Sequence, residues 1–304
     1  MNRIGLMSEN AKKVFTEKYC LKNDDFETIE TIEECFKRVS SFISKKEDGT
    51  DDIELNQKFF DMLSNFEFLP NSPTFTGADT KLGQLAACFV LPISDDLISG
   101  SSSIFNTKTM AASIQQLGGG NGFSFSRLRE KGKIIKTSKG KASGPISFLK
   151  SFDFDSETIK QGGTRRGANM AVLRVDHPDI IEFIECKSKE KGENRITNFN
   201  ISVALTNDFM EKLKTNSDYD LISPYDNKKV RSENTKKIFD LICKNAYEHS
   251  EPGVLFIDNA NEKNPVPHLY DLESTNPCGL ILFIYNFFIF KFNNFYIIKK
   301  ENNG

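Results

Sequence analysis

The most chemically pointed stretch of this sequence is Ser274-Thr275-Asn276-Pro277-Cys278-Gly279. It sets a thiol two residues after a carboxamide, and its proline and glycine read as a loop rather than a helix or strand. A second cysteine, Cys88, lies in Leu85-Ala86-Ala87-Cys88-Phe89-Val90-Leu91-Pro92, a run of strand composition stopped by proline. Read from its neighbours, Cys88 is a small core residue. Lys160-Gln161-Gly162-Gly163-Thr164-Arg165-Arg166-Gly167 puts three cations and three glycines on one loop. That pattern suits phosphate, with arginine giving bidentate contacts and glycine amides the rest, although a solvated basic loop has the same composition.

Two further stretches offer weaker chemistry. Gly118-Gly119-Gly120-Asn121-Gly122 follows a helical pattern and leads into alternating Phe123-Ser124-Phe125-Ser126. A nucleotide P-loop follows a strand and carries Lys-Ser/Thr, so this is not one. It reads either as a generous helix cap or as backbone that lets a sugar or base come close. Leu69-Pro70-Asn71-Ser72-Pro73-Thr74-Phe75 reads as an extended or turn segment whose hydroxyls face an anion or simply solvent. His177 precedes Pro178 at a helix start, where capping is the expected role.

The totals bound what these residues can serve. At 304 residues the chain can bury one large α/β core or two modest ones. A net charge of −2 provides no field for nucleic acid or an anionic membrane, so neither is an expected partner. The six cysteines contain no CxxC pair, which argues against a zinc site and a secreted disulfide framework; no metal site is expected. No apolar leader opens the chain, so the reducing cytoplasm is the expected compartment.

The elements that must position these residues follow from periodicity. Residues 8–68 read as helical: Ser8 caps a helix from Glu9, a second run spans Glu27–Val39, and a third Ile53–Phe66. Helices are expected over Ser101–Leu117, from Gly144-Pro145, over Ile180–Lys187, Asn207–Lys214 and Thr235–His249. Strands are expected at 85–91, 168–175, 198–205 and 254–258, and Asn259–Pro267 reads as polar loop. Strands alternating with helices from 70 to 258 imply a largely parallel sheet.

Together these blocks resemble the catalytic chain of the ribonucleotide reductases, most closely the adenosylcobalamin-dependent class II branch. The likeness runs from about Ser8 to Gly279 and rests on Asn71–Thr74, Leu82–Pro92, Gly118–Phe125, Ile159–Met170, Arg174–Ile180 and Asn276–Gly279. It implies an α/β fold: an N-terminal helical cap (1–68), then the first half of the family's ten-stranded α/β barrel (69–279), then an unrelated tail (280–304). It implies that Cys278 carries a thiyl radical, that Asn276 hydrogen-bonds the ribose, and that Cys88 is the first of two reducing cysteines, in place of the core role above. Ser72, Ala87 and Gly118 match substrate contacts; Asp95, Arg127, Lys160, Gln161 and Arg165 match regions that bind a deoxynucleotide effector. Adenosylcobalamin is the implied cofactor. The implied partners are a ribonucleotide, that effector and an external dithiol such as thioredoxin, and a homodimer is compatible with the family. A related glycyl-radical enzyme shares the barrel, but the Lys160–Met170 block and the Ala87-Cys88 pair favour the cobalamin branch.

The departures carry as much meaning. The family reads Asn-Pro-Cys-Gly-Glu at the loop, whereas here Leu280 follows Gly279, and no cysteine follows Cys278 to pair with Cys88. The expectation is an incomplete reductase, with a catalytically inactive nucleotide-binding or dimerising fragment as the alternative. The tail from Leu280 is dominated by Phe, Ile, Asn, Lys, Tyr and Leu, a composition suited to an A/T-rich frame translated after a frameshift, an unspliced intron or an assembly error. Its apolar run is short of the ~20 residues needed to span a membrane.

Overall fold

The computed structural model describes residues 3–279 apart from 82, 117, 137, 162–164, 167 and 278, and beyond these only 291–292 and 295–296. The chain divides into two compact units, one running from the N-terminus through Ala87 and the other beginning at Cys88.

The first unit is helical. Ser8 caps α1 (Glu9–Tyr19), its side chain accepting from the Ala11 amide. The second helix, α2 (Ile32–Ile43), starts later than Glu27 because Thr31 and Glu34 form a reciprocal capping box. Residues 27–29 are held out of it by backbone bonds Asn23 N to Glu27 O and Ile29 N to Leu21 O. Asp52 caps α3 (Ile53–Ser64). The stretch read as extended around two prolines contains a short helix, α4 (Ser72–Gly77), with proline in its first turn, where the missing N–H has no partner to lose. Phe15, Phe36 and Phe75 meet edge-on or tilted at the centre, with centroids 5.1 to 5.9 Å apart. The compact helical unit runs through Ala87: Phe75 belongs to its core, and Arg38 donates to Phe75 O and Ala78 O.

The second unit is built on a five-stranded parallel sheet: β1 (Cys88–Leu91), β2 (Gly120–Ser124), β5 (Asn169–Arg174), β6 (Phe199–Leu205) and β9 (Gly253–Phe256), in that spatial order. Strand order follows chain order without reversal, so successive strands add to one side, as a barrel half requires and a doubly wound sheet does not. The intervening α5 (Ile104–Gln116) and α6 (Pro145–Thr158) pack on one face, where Phe123, Phe125, Phe152 and Phe199 form an aromatic layer. The central β5 buries Met170, Ala171, Val172 and Leu173 on both faces, as inner parallel strands do. Among the described residues the sheet does not close, and Val254 and Phe256 remain exposed on its β9 edge.

Smaller elements complete the unit. The basic loop contains two-residue strands β3 (Lys160–Gln161) and β4 (Arg165–Arg166), paired antiparallel. The helix expected over 180–187 is α7 (Ile180–Ile184). Helices α8 (Asn207–Lys214) and α9 (Thr235–His249) match their expected bounds. Between them lies an antiparallel hairpin not anticipated from sequence, β7 (Asp218–Ile222) with β8 (Lys229–Asn234). Its second strand is charged and exposed, so it carries no hydrophobic alternation to detect. Residues 257–262, expected to end a strand and begin a loop, form α10 (Ile257–Glu262). No helix among the described residues is long and apolar enough to cross a membrane.

His177 is 2% exposed at the start of α7. Its Nε2 lies 2.9 Å from Leu128 O, and its Nδ1 accepts from the Asp179 amide at 3.0 Å. The neutral Nε2–H tautomer satisfies both contacts, whereas protonation would set an N–H against the Asp179 N–H. Burial accordingly holds its pKa below the usual 6.5. Because the folded value is depressed, the unfolded chain takes the proton first. Stability is expected to fall as pH drops below 6.5 and towards the folded pKa. Urea midpoints at about pH 7.5 and about pH 5.5 measure this, and His177→Gln should flatten the difference.

Candidate active site

The segment leading to the loop thiol is fixed at its entry by one side chain. Asn261 of α10 accepts from Leu272 N at 2.6 Å and donates to Leu272 O at 2.8 Å, bracketing that residue as a neighbouring strand would. Leu272 also packs with Met170, Val172, Ala204 and Ile257 on the sheet face opposite the aromatic layer. Next, Glu273 pairs with Arg127 just beyond β2 (2.6 Å). The Thr275 carbonyl then lies against Gly122, and the Pro277 ring against Gly120. Residues 273–277 thus run antiparallel to β2, from the sheet's C-terminal edge towards its N-terminal edge.

Glycine is required for this crossing. A Cβ on Gly122 would overlap the Thr275 carbonyl, and one on Gly120 would come 3.0 Å from both the Pro277 ring and Ala168 O. The glycine cluster does allow a close backbone approach, but at these two positions the visitor is the chain's own loop rather than a sugar or base. At the tip, Asn200 of β6 donates to Pro277 O at 2.9 Å. Asp153 of α6 steadies the start of β6 by accepting from the Thr197 and Asn198 amides. The Gly279 N–H donates to Asn276 O, and Gly279 adopts φ +69.

Cys88 opens β1 opposite Gly120, and its Sγ lies 3.6 Å from where a Gly120 Cβ would sit. The structure therefore brings Cys88 and the Asn276-Pro277 segment to one place, the N-terminal edge of β1 and β2. Asn276 is buried there, 3% exposed. Cys278 itself lies outside the described residues. Gly118 stands nearby in sequence, exposed and at φ +86, with open space around it. Ser72 begins α4 and Ala87 ends the helical unit; both are half-buried. Thr74, beside Ser72, donates its hydroxyl within that unit, to Leu85 O or Asn71 Oδ1.

The residues expected to hold an effector are more dispersed. Asp95 accepts from Arg129 Nε at 2.7 Å and from its backbone amide, and Arg129 lies over Tyr225 at 4.4 Å. Asp95 and Arg129 line a cavity of about 420 Å³ together with Lys141, Ser143 and Gly144. Arg127 is paired with Glu273 and lines a cleft of about 740 Å³ at the sheet's C-terminal edge, to which Asp95 also contributes. Lys160 and Gln161 fall on β3 and Arg165 on β4; their side chains lie outside the described residues. Sequence reasoning did not single out Asn200, Asn261, Glu273 or Arg129. Only the alternation of β6, which turns Asn200 to the loop-facing side, carried a signal for any of them.

Five parallel strands in chain order, with residues 273–277 laid across β2, define an α/β scaffold of half-barrel type. Residues 86–286 match the ribonucleotide reductase barrel domain, and residues 6–83 match the ribonucleotide reductase all-alpha domain. The chain belongs to the ribonucleotide reductase family. It is 44% identical over 276 residues to a vitamin B12-dependent ribonucleoside-diphosphate reductase of Thermoplasma acidophilum, covering 91% of this chain and 34% of that protein. A protein of the same description from Mycobacterium tuberculosis is 40% identical over 276 residues, covering 90% of this chain and 39% of its own length. The ribonucleoside-diphosphate reductase subunit alpha of Helicobacter pylori is 29% identical over 291 residues, covering 88% and 36%. The chain thus spans a little over a third of the length of these three relatives.

Proposed function

We propose that this chain is the first half of the catalytic barrel of an adenosylcobalamin-dependent ribonucleotide reductase, which converts ribonucleoside diphosphates to 2′-deoxyribonucleoside diphosphates. The observation that supports this most is the meeting of Cys88 with the Asn276-Pro277 segment at one end of the sheet. On this reading the Cys278 thiyl removes the ribose 3′-hydrogen, Asn276 holds the ribose hydroxyls, and Cys88 supplies reducing electrons as it enters a disulfide. Ser72, Ala87 and Gly118 contact the substrate. An external dithiol such as thioredoxin returns the cysteines to the thiol state, and two copies pair as a homodimer.

Adenosylcobalamin, when bound, supplies the radical that Cys278 carries. A large planar group needs an edge free of side-chain bulk, and exposed Gly118, with open space around it, fits that need. The effector reading favours Asp95, with Arg129 and Lys141 around the same cavity, and the Lys160, Gln161 and Arg165 hairpin as its relay. Arg127, paired with Glu273, acts on this reading at the base of the loop, beside the effector region.

The test is a chimera joining residues 1–279 to the remaining length of the Thermoplasma relative. With adenosylcobalamin, a ribonucleoside diphosphate and a dithiol, it is expected to form deoxynucleotide, and Cys278→Ser or Cys88→Ser should abolish this. A folded, nucleotide-binding chimera without turnover overturns the reading. The second reading, an inactive nucleotide-binding or dimerising fragment, is favoured by Leu280 in the place of a carboxylate.

A further inference from the structure

The helical unit contains a cluster that the reductase chemistry does not use. Cys20 Sγ, Cys35 Sγ and a Glu30 carboxylate oxygen all lie within 4.8 Å of one another. Cys35 is fully buried in α2 and Cys20 is 6% exposed. Cys20 caps the C-terminus of α1 with extended backbone, outside the rigid helix, so its side chain can turn without unwinding a helical turn.

Two chemistries suit paired thiols beside a carboxylate: metal ligation and disulfide formation. The surroundings decide between them. Glu30 is already engaged, since the Arg38 fork donates to both its oxygens (2.9 and 2.7 Å) and the Leu21 amide to Oε1 (2.8 Å). Arg38 Nη2 also lies 3.4 Å from Cys35 Sγ. An incoming metal ion would meet a fixed guanidinium and a carboxylate whose charge is already matched. The thiols are held by long contacts, Cys35 Sγ with Arg38 Nη2 at 3.4 Å and with Tyr19 O at 3.9 Å, and so remain the reactive pair of the cluster.

We propose that Cys20 and Cys35 are an oxidation site of this protein, forming a reversible disulfide that ties the end of α1 to α2. With hydrogen peroxide as oxidant, one thiolate attacks a peroxide oxygen, giving a sulfenic acid and hydroxide. The second thiol then attacks that sulfur, the S–S bond forms and water leaves. In balance, two thiols lose two electrons and two protons, and one peroxide becomes two waters. The bridge acts where it reaches furthest, because Arg38, which touches Cys35, also holds the C-terminal carbonyls of α4 at Phe75 and Ala78. Burial pushes the Cys20 thiol up to about 11 and raises Cys35 further, so the pair stays protonated at neutral pH and its oxidation accelerates as pH rises.

The test uses the full chain carrying Cys243→Ser, which removes the thiol exposed among the described residues. After peroxide treatment, the protein is alkylated under denaturing conditions, digested and mapped without reduction. The expected product is a Cys20–Cys35 linked peptide, lighter by two hydrogens than the thiol pair, formed faster at higher pH and lost with dithiothreitol. The oxidised protein should also melt at a higher temperature, and Cys20→Ser should remove that shift. Recovery of both cysteines as separately alkylated peptides overturns the proposal. So does a zinc ion released from the untreated protein on thiol modification, which would make the cluster a metal site.

Discussion

The 304-residue chain, supplied with adenosylcobalamin, a ribonucleoside diphosphate and a dithiol, is expected to form no deoxynucleotide. Leu280 follows Gly279 where the family resemblance implies a glutamate that takes the ribose 3′-hydroxyl proton. A general base typically contributes ~100- to 10,000-fold in rate, and leucine can supply none of it. The effect should fall on turnover rather than on nucleotide affinity, because a general base acts in the chemical step. Parallel measurements of product formation and of nucleotide binding separate the two. Deoxynucleotide formed by the unaltered chain, and lost in Cys278→Ser, would overturn this expectation.

Gly122→Ala should be the most damaging single-methyl change in the sheet unit. The added Cβ would overlap the Thr275 carbonyl and come 3.2 Å from Asn276 Cα. Both obstacles are backbone, so no side chain can swing aside to relieve them. Overpacking of this kind costs about 1–3 kcal/mol, read as a lower urea midpoint at constant slope. Gly5→Ala, with open space around it, is the control and should stay within about 0.5 kcal/mol. The loop should also become easier to cleave by protease between residues 270 and 279, because it can no longer seat on β2. Gly120→Ala should be milder, as part of its crowding comes from the Pro277 ring, which can shift by a few tenths of an ångström. An unchanged midpoint and unchanged cleavage in Gly122→Ala would show that residues 273–277 do not cross β2.

Much of this was readable in sequence because the signals are local. Ser8, Asp52 and Thr206 cap helices by contacts three residues away, and the apolar run of β5 marks an inner parallel strand without knowledge of its neighbours. The misreadings share one physical source. Glu27–Thr31 has helical composition, yet its backbone is claimed by residues 21–23, so the helix starts only at Ile32. The prolines around Ser72 argued against a helix, yet proline is welcome in a first turn, and Phe75 holds that turn in an aromatic core assembled from α1 and α2.

The sequence by itself determined the family, the alternation of strands and helices, and the thiol-bearing loop with its unusual Leu280. These are matters of residue identity and of spacing along the chain. Only the tertiary structure decided what the glycines at 120 and 122 are for, that Asn200 and Asn261 hold the two ends of the loop, and that Arg127 belongs to Glu273 while Asp95 belongs to Arg129. Each of these is a contact between residues far apart in sequence, up to 146 positions for Arg127 and Glu273. Such partners are selected by sheet register and loop path, which no local pattern encodes. The same holds for Cys20 and Cys35: as sequence they are two scattered cysteines, and the packing of α1 against α2 makes them a pair.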